Sequence, residues 1–287
     1  MAESARVLPG ETVMDLARAH DLGFVEIMAA NPGLDPWLPP SDRLVLLPTT
    51  HLPPPQLAHA PLVINLAEMR LFWRPPNGDV RSFPVGIGRD GSKLKPTTMR
   101  VVAKRRDPVW VPPPSVRAEK PWLPTEVPPG PDNPLGAFSL DLGGSLIRIH
   151  GTNLPDGVGR RVSHGCFRMY PEDIATLFDH VSVGTRVAIV DEPAKLAHVD
   201  GELWLELHPG QDAADAIEAG EKAEPSVPAD LEDRIAAAAG PEAAERVDWS
   251  LVAWAAAHPL GIPVRLTRPA TGPPIDLLAT TPRQNSE

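Results

Sequence analysis

Alternating apolar and polar positions occupy the middle of the chain and predict short β-strands there. Before residue 110 the predicted strands cover residues 62–67, 70–73, 79–87 and 98–105, with an Asn77-Gly78 hairpin turn signal between the second and third. Further strands are predicted at residues 137–142, 145–150 and 185–190. Residues 171–181 instead place Ile174, Leu177, Phe178 and Val181 on one face of a helix that begins at a proline. The pattern therefore predicts a mainly-β domain with one prominent helix.

The residues ahead of this domain predict a smaller unit. Residues 7–48 have the order strand, helix, helix, strand, and the segment Asn31-Pro32-Gly33 is a stop signal after the second helix. The opening PGET, the turn after the second helix and the closing RLVLLP resemble a LysM module, which is a glycan-binding fold. The alternative is a small capping domain that binds nothing.

The pattern changes again at both borders of the β domain. Residues 51–60 are rich in proline and predict a stiff linker. The C-terminal part predicts a strand at residues 201–208 and helices at 213–221, 230–239 and 241–257. Inside the domain, the proline-dense residues 107–134 have the length of a lid, a binding loop or a disordered segment. Residues 110–122 of this stretch are either a lid over the substrate or surface packing.

Composition excludes several classes of function. The 287 residues carry a net charge of −10, which argues against binding to nucleic acid or anionic lipid, since both need a basic surface. No apolar run approaches the roughly 18 residues that span a bilayer. The first residues lack the charged-then-apolar pattern of an export signal. We therefore expect either a cytoplasmic protein or an exported one whose signal lies outside this sequence.

Candidate chemistry is concentrated in two segments, residues 147–152 (IRIHGT) and 163–169 (SHGCFRM). Cys166 is the only cysteine, so it forms no internal disulfide. A free thiol is mostly protonated at neutral pH, and an imidazole such as that of His150 can take its proton. A base of this kind needs a group that fixes its tautomer. Because neither segment contains an Asp or Asn, we expect the Gly151 carbonyl to orient His150.

The residues around Cys166 have further expected roles. Gly165 allows a tight turn and a close approach of the substrate. The Cys166 N–H, together with that of Gly165 or His164, is expected to form an oxyanion hole. His164 either positions substrate or nucleophile or only packs the turn. Ser163 either braces the turn or takes a direct part, and Arg168 either holds a substrate carboxylate or forms a structural ion pair.

The motif pair HGT and SHGCFRM resembles the signature of the YkuD/ErfK family of L,D-transpeptidases, and the similarity extends through PLVINLAEMRLFW, PVGIG and GPDNPLGAF. Many relatives have T-P-T-G where this chain has KPTT at residues 95–98, a difference that concerns substrate details rather than the chemistry. The resemblance implies a β-sandwich-like catalytic domain. The expected domains are a LysM-like module at 1–50, a linker at 51–60, the catalytic domain at 61–192 and an extension of unassigned role at 193–287.

The resemblance also implies a reaction on peptidoglycan without a metal or cofactor. Cys166 would attack the carbonyl between the third and fourth residues of a stem tetrapeptide, with His150 as base and then acid. The amine that resolves the thioester would come from a second stem's diaminopimelate, giving a 3-3 crosslink, or from an outer-membrane protein or lipoprotein. The LysM-like module would bind the glycan. The arrangement is similar to that of the periplasmic subgroup that attaches envelope proteins to the wall, which implies a periplasmic or cell-envelope location.

Two other functions remain open from the sequence. A hydrolase on the same scaffold, an L,D-carboxypeptidase or amidase, would use water in place of the amine. A non-catalytic wall-binding protein would depend on the LysM-like module alone. The presence of both His150 and Cys166 argues against this last alternative.

Overall fold

The computed structural model describes residues 3–89, 94–143, 146–221 and 223–268. The predicted strand at 145–150 therefore begins outside the described residues, as does the end of the C-terminal extension after residue 268. The chain divides into two compact units, one made of residues 1–53 with 192–287 and the other of residues 54–191.

The regular elements are numbered here in chain order. The strands are β1 (Glu3–Arg6), β2 (Leu44–Leu47), β3 (Leu62–Asn65), β4 (Arg70–Trp73), β5 (Arg81–Pro84), β6 (Ile87–Gly88), β7 (Thr97–Arg106), β8 (Phe138–Leu142), β9 (Arg148–His150), β10 (Arg161–Ser163), β11 (Phe167–Arg168), β12 (Arg186–Val190), β13 (Ala194–Val199), β14 (Glu202–Leu207) and β15 (Val264–Arg265). The α-helices are α1 (Val13–Ala19), α2 (Phe24–Ala30), α3 (Pro114–Glu119), α4 (Pro171–His180), α5 (Gly210–Glu218), α6 (Leu231–Ala243) and α7 (Trp249–Ala257). Single 3-10 turns lie at Pro55–Ala58, Pro155–Gly157 and Ala244–Arg246.

The unit of residues 54–191 is built on one eight-stranded sheet with the order β11-β9-β8-β7-β12-β3-β4-β5. The pairs β11–β9 and β12–β3 are parallel, and the other neighbours are antiparallel. A separate parallel pair joins β6 to β10. The sequence predicted a mainly-β fold with a sandwich-like domain, a small βααβ segment before it and an α-rich extension after it. The predicted helices of the flanking segments are present, and with them the chain as a whole is a mixed α/β protein.

The strands β3 and β4 are buried on both faces. All four residues of each strand are buried from solvent, including the polar Asn65 and Arg70. A strand covered on both faces does not need strict alternation, because neither face meets water. Asn65 satisfies its amide by donating a hydrogen bond of 2.7 Å to Glu68. The sequence predicted these two strands from their alternation, and the structure shows them covered on both faces.

Helix α4 packs against β8, beside the strand that ends at His150. Its first turn contains Pro171, Glu172 and Asp173. Carboxylates at this position are stabilising, because they lie at the positive end of the helix dipole. The rings of Phe178 and Phe138 lie 4.8 Å apart, centroid to centroid. The contact between α4 and β8 therefore holds the helix against the sheet next to β9.

The N-terminal part of the other unit has the strand–helix–helix–strand order that the sequence predicted. Strands β1 and β2 pair antiparallel, and Val13, Leu16, Leu22, Ile27 and Val45 are among the residues of the core beneath them. Asn31, predicted as a helix stop, donates from its amide to the carbonyls of Ile27 and Leu46, and its Oδ1 accepts from the Leu46 N–H. One side chain thus joins the end of α2 to β2.

The C-terminal extension consists of a three-stranded antiparallel sheet, β13-β14-β15, covered by helices. Its core contains Leu203, Leu205, Ile235 and Val252, among others. Helix α6 is broken at Gly240, which has a φ of 68°. This break agrees with the two separate helices predicted at residues 230–239 and 241–257. The second of these is interrupted by the 3-10 turn at Ala244–Arg246, and α7 begins only after Asp248, whose carboxylate accepts from the Ser250 and Leu251 N–H groups. Within the described part of the chain, no helix has the length and apolar character to cross a bilayer.

Candidate active site

His150 and Cys166 lie at one edge of the large sheet, where strands β9 and β11 run parallel. His150 is the last residue of β9, and Cys166 directly precedes the edge strand β11. Arg168 pairs with His150 in the register, and the Met169 N–H donates to the His150 carbonyl at 2.8 Å. Cys166 comes one residue before β11, and its thiol contacts the Leu146 carbonyl oxygen and the Arg148 N–H, in and just before the strand that ends at His150. The two predicted catalytic residues are therefore brought to the same edge of the sheet.

The His150 ring is buried and fixed in one tautomer. Its Nδ1 lies 2.6 Å from the Gly151 carbonyl oxygen. A carbonyl oxygen only accepts, so Nδ1 carries the proton and Nε2 is left with the lone pair of a base. Burial, reinforced by the positive charges of Arg168 and Arg148, lowers the pKa of His150 to about 4, although the Gly151 hydrogen bond raises it. The imidazole is neutral at physiological pH.

Close packing explains the glycine after His150. A Cβ on Gly151 would lie 3.2 Å from Ile174 Cγ2 on helix α4 and 3.3 Å from the Leu135 carbonyl oxygen. Gly136 approaches from the same side with a φ of +64°, and a Cβ there would lie 2.8 Å from the Thr152 backbone nitrogen. The glycines therefore let the segment after β9 press against α4 and the preceding loop.

The turn before Cys166 is closed by the Ser163 hydroxyl. This hydroxyl donates to the Cys166 carbonyl at 2.6 Å and accepts from the Gly165 N–H at 3.1 Å. Gly165 has a φ of +112°, which a residue with a side chain rarely adopts. Since the Gly165 N–H is already engaged, the predicted oxyanion hole would rely on the N–H groups of Cys166 and His164.

The Cys166 thiol is half-buried and protonated at rest. Its Sγ lies 3.6 Å from the Leu146 carbonyl oxygen, to which the thiol donates. Burial raises the pKa of Cys166, and this effect exceeds the opposing influence of the Arg148 N–H and of the Arg148 and Arg168 charges. Because the His150 imidazole and the Cys166 thiol are both neutral, the resting site does not contain the thiolate–imidazolium pair found in some cysteine enzymes.

Two arginines flank the thiol. Arg148 lies beside His150 on β9, and its Nε is 3.0 Å from Asp141 Oδ1 on the neighbouring strand β8. Arg168 is largely buried, and a Cβ added to Gly157 would lie 2.6 Å from its Nη1. The sequence singled out Arg168 and missed Arg148 and Asp141. The period-2 spacing of Arg148 and His150 was the signal that pointed to a shared face.

His164 contacts the long loop that the sequence left unassigned. Its Nε2 lies 3.1 Å from Oε2 of Glu119, the last residue of helix α3, and 3.0 Å from Nη2 of Arg89. Glu119 and Arg89 also form an ion pair with each other. Neither residue belongs to a recognisable motif, so the sequence did not identify them. Among the described residues, the surroundings of Cys166 contain no group of three potential metal ligands.

Comparisons with known proteins give the family. Residues 61–189 match the model of the YkuD family, described as the L,D-transpeptidase catalytic domain. The probable L,D-transpeptidase ErfK/SrfK of Salmonella typhimurium is 42% identical over 199 residues, which cover 67% of this chain and 64% of that protein. The probable L,D-transpeptidase YbiS of Escherichia coli is 42% identical over 200 residues, with the same coverage of 67% and 64%.

A solved L,D-transpeptidase of Enterococcus faecium matches over 45% of this chain and 49% of its own, with 17% identity and a TM-score of 0.35, which is too low to add to the assignment. The chain spans less than two thirds of the length of these two curated relatives. The family match nevertheless contains both the HGT and the SHGCFRM segments. The chain belongs, through residues 61–189, to the cysteine-dependent YkuD family of L,D-transpeptidases.

Proposed function

We propose that this protein is an L,D-transpeptidase that acts on peptidoglycan stem tetrapeptides. The observation that carries the proposal is the pairing of β11 with β9, which brings the Cys166 thiol to the strand that ends at His150, whose ring is held in the tautomer of a base. The match of residues 61–189 to the family's catalytic domain supports the same chemistry. The family resemblance implies the peptidoglycan substrate.

The proposed first half-reaction is an acyl transfer to sulfur. Cys166 Sγ attacks the carbonyl carbon that joins the third residue to the terminal D-residue, and its proton passes through His150 Nε2 to the departing amine. The Cys166 N–H stabilises the negative charge on the carbonyl oxygen. Because thiol and imidazole are both neutral at rest, the proton moves only as the sulfur attacks. The products are a thioester and a free D-amino acid.

The proposed second half-reaction transfers the acyl group to an amine. The amine nitrogen attacks the thioester, loses a proton to His150 and releases the Cys166 thiol. A diaminopimelate amine of a second stem gives a 3-3 crosslink, and an amine on an outer-membrane protein or lipoprotein gives an anchor to the wall. We place this activity in the periplasm or cell envelope, where the wall lies.

The N-terminal βααβ segment is proposed to bind the glycan as a LysM-like module. Trp37 and Leu38, in the connection between α2 and β2, are 51% and 81% exposed, and both of their N–H groups donate to Asp35. An exposed indole on a braced turn can pack on the apolar face of a sugar. We expect Trp37→Ala to reduce sedimentation of the protein with purified peptidoglycan, whereas Trp249→Ala, which alters another exposed tryptophan, retains it.

The test of the enzymatic proposal is mass spectrometry of the protein with a disaccharide-tetrapeptide. We expect the wild type to show an acyl adduct, loss of D-alanine and a crosslinked dimer, all absent from Cys166→Ala. Release of D-alanine with water as the only acceptor would identify a hydrolase instead. A folded protein that binds glycan but forms no adduct would identify a wall-binding protein.

A further inference from the structure

The proline-rich residues 107–134 form an ordered loop with a fixed base. Trp110 and Val127 pair through two backbone hydrogen bonds of 2.9 and 2.8 Å. The side chain of Asn133, which is fully buried, donates to the carbonyls of Pro108, Val127 and Pro128, and its Oδ1 accepts from the Leu135 N–H. The base of the loop is thus closed independently of its tip, which contains helix α3.

The tip of this loop places a carboxylate beside the nucleophile. Glu119, at the end of α3, contacts Arg89 through Oε1 and His164 through Oε2. His164 is two residues before Cys166, and the Arg89 N–H donates to the Ser163 carbonyl at 2.9 Å. Both partners of the carboxylate are therefore attached to the turn that carries the thiol.

One assignment of protons satisfies the carboxylate fully. His164 Nε2 lies within hydrogen-bond distance of both Glu119 Oε2 and Arg89 Nη2, but a ring nitrogen either donates or accepts. If Nε2 accepted from Arg89, it would face the carboxylate oxygen, which also only accepts, at 3.1 Å. With the proton on Nε2 instead, His164 donates to Oε2 while Arg89 donates to Oε1. The His164 hydrogen bond and the Arg89 charge accordingly lower the pKa of Glu119.

We infer that Arg89 and His164 form a carboxylate-binding subsite of the active centre, which Glu119 fills in this structure and which the terminal D-residue's carboxylate fills in the substrate complex. The inference rests on the proposed function for the identity of the ligand. That carboxylate is one carbon away from the departing nitrogen, so it lies next to the bond that Cys166 attacks. A two-donor site two residues from the nucleophile suits such a group.

Glu119 is suited to leave when substrate arrives. The side chains of Arg89, Glu119 and His164 are 46%, 42% and 30% exposed, so water and salt weaken their ion pairs. When an internal group occupies a site, only the fraction of molecules with the site open can bind an external ligand, and the apparent affinity is reduced in proportion to that fraction. Glu119 therefore acts as a weak, displaceable competitor for substrate carboxylates.

The test uses the single cysteine as a reporter. Alkylation of Cys166 by iodoacetamide is measured with rising N-acetyl-D-alanine or its neutral analogue, N-acetyl-D-alaninamide. We expect the acid to protect the thiol and the amide to protect it far less. In Glu119→Gln the half-protecting concentration of the acid should fall by about two- to five-fold, the range expected for loss of an exposed ion pair. In Arg89→Gln combined with Glu119→Gln, protection should be lost.

The matched control is Glu126→Gln, which removes a charge from an exposed position on the same loop and should leave protection unchanged. Thermal unfolding checks that each variant is folded, and Arg89→Lys, which keeps one charge but loses the fork, should protect only partly. Equal protection by acid and amide, or unchanged protection in the double variant, would overturn the subsite. Selective protection in a protein that never releases D-alanine would instead remove the proposed function and keep the subsite.

Discussion

At the scale of single residues, the buried His150 ring governs how the site responds to acid. Burial and two nearby arginines hold its pKa at about 4, so the ring stays a competent base well below neutral pH. The pKa of Cys166 is shifted in the opposite direction, upwards, because burial disfavours the charged thiolate. The two shifts together describe a site in which substrate, rather than a preformed ion pair, draws the proton from sulfur.

This protonation state predicts the pH dependence of thiol reactivity. We expect the rate of Cys166 alkylation by iodoacetamide to rise about ten-fold per pH unit from pH 7 to beyond the ordinary thiol pKa of about 8.5, because only the thiolate reacts. The measurement is the second-order rate constant at each pH. A plateau between pH 6 and 8 would show that a thiolate–imidazolium pair exists at rest.

The same shift predicts a loss of stability in acid. The folded-state pKa of His150 lies below its unfolded value of 6.5, so its contribution is complete above pH 6.5 and is lost as the pH falls toward about 4. The difference corresponds to about 3 kcal/mol of unfolding free energy. Urea unfolding at pH 7.5 and 4.5 should show this loss in wild type and in His59→Gln, whose ring is exposed, and a smaller loss in His150→Gln. Equal losses in all three proteins would contradict the assignment.

At the scale of elements, the loop before β8 depends on one amide. Asn133→Ala removes a fully buried amide that donates to the carbonyls of Pro108, Val127 and Pro128 and accepts from the Leu135 N–H. The Val127 carbonyl keeps the Trp110 N–H as a partner. Each buried group left unpaired costs about 1–3 kcal/mol. We expect the loop of residues 107–134 to open and become a site of rapid limited proteolysis.

Asn153→Ala is the control for this experiment, because Asn153 is only partly buried and donates once, to the Asp132 carbonyl at 3.2 Å. Proteolysis of the loop should stay slow in that variant. Identical cleavage rates for both variants and wild type would show that the base of the loop is held by the Trp110–Val127 pair alone.

Local patterns were enough to predict strands β3 and β4, helix α4 and the strand that ends at His150. They did not predict the two-residue strand β11 after Cys166, because so short a segment has no periodicity of its own. The contact between Glu119 and His164 joins residues 45 positions apart across a loop that lacks periodicity, so nothing local indicates it. The break at Gly240 was predicted, because Gly240-Pro241 separates the helices assigned to residues 230–239 and 241–257. The 3-10 turn at Ala244–Arg246 was missed, because the alanine-rich segment around it favours a helix.

At the scale of the whole molecule, the two ends of the chain belong to one unit. Lys195 on β13 donates to the Leu52 carbonyl at 2.8 Å, and its Nζ lies 3.1 Å from Glu206 on β14. Glu206 also accepts from the Leu52 N–H and contacts His208 at 2.8 Å. The C-terminal extension therefore holds the segment that follows the N-terminal module, an association that no sequence pattern predicts.

The buried ion pair between Lys195 and Glu206 should contribute strongly to the stability of this unit. Lys195→Met leaves the fully buried Glu206 carboxylate without its cation, and removal of one partner of a buried pair costs about 3–5 kcal/mol. We expect faster hydrogen exchange in β13 and β14 but unchanged exchange in β3 and β12, which lie in the other unit. Lys195→Met combined with Glu206→Gln should recover part of the protection, because the neutral amide needs no cation. Equal exchange in the single and double variants would mean that lost packing of the lysine chain, rather than the unpaired charge, destabilises the unit.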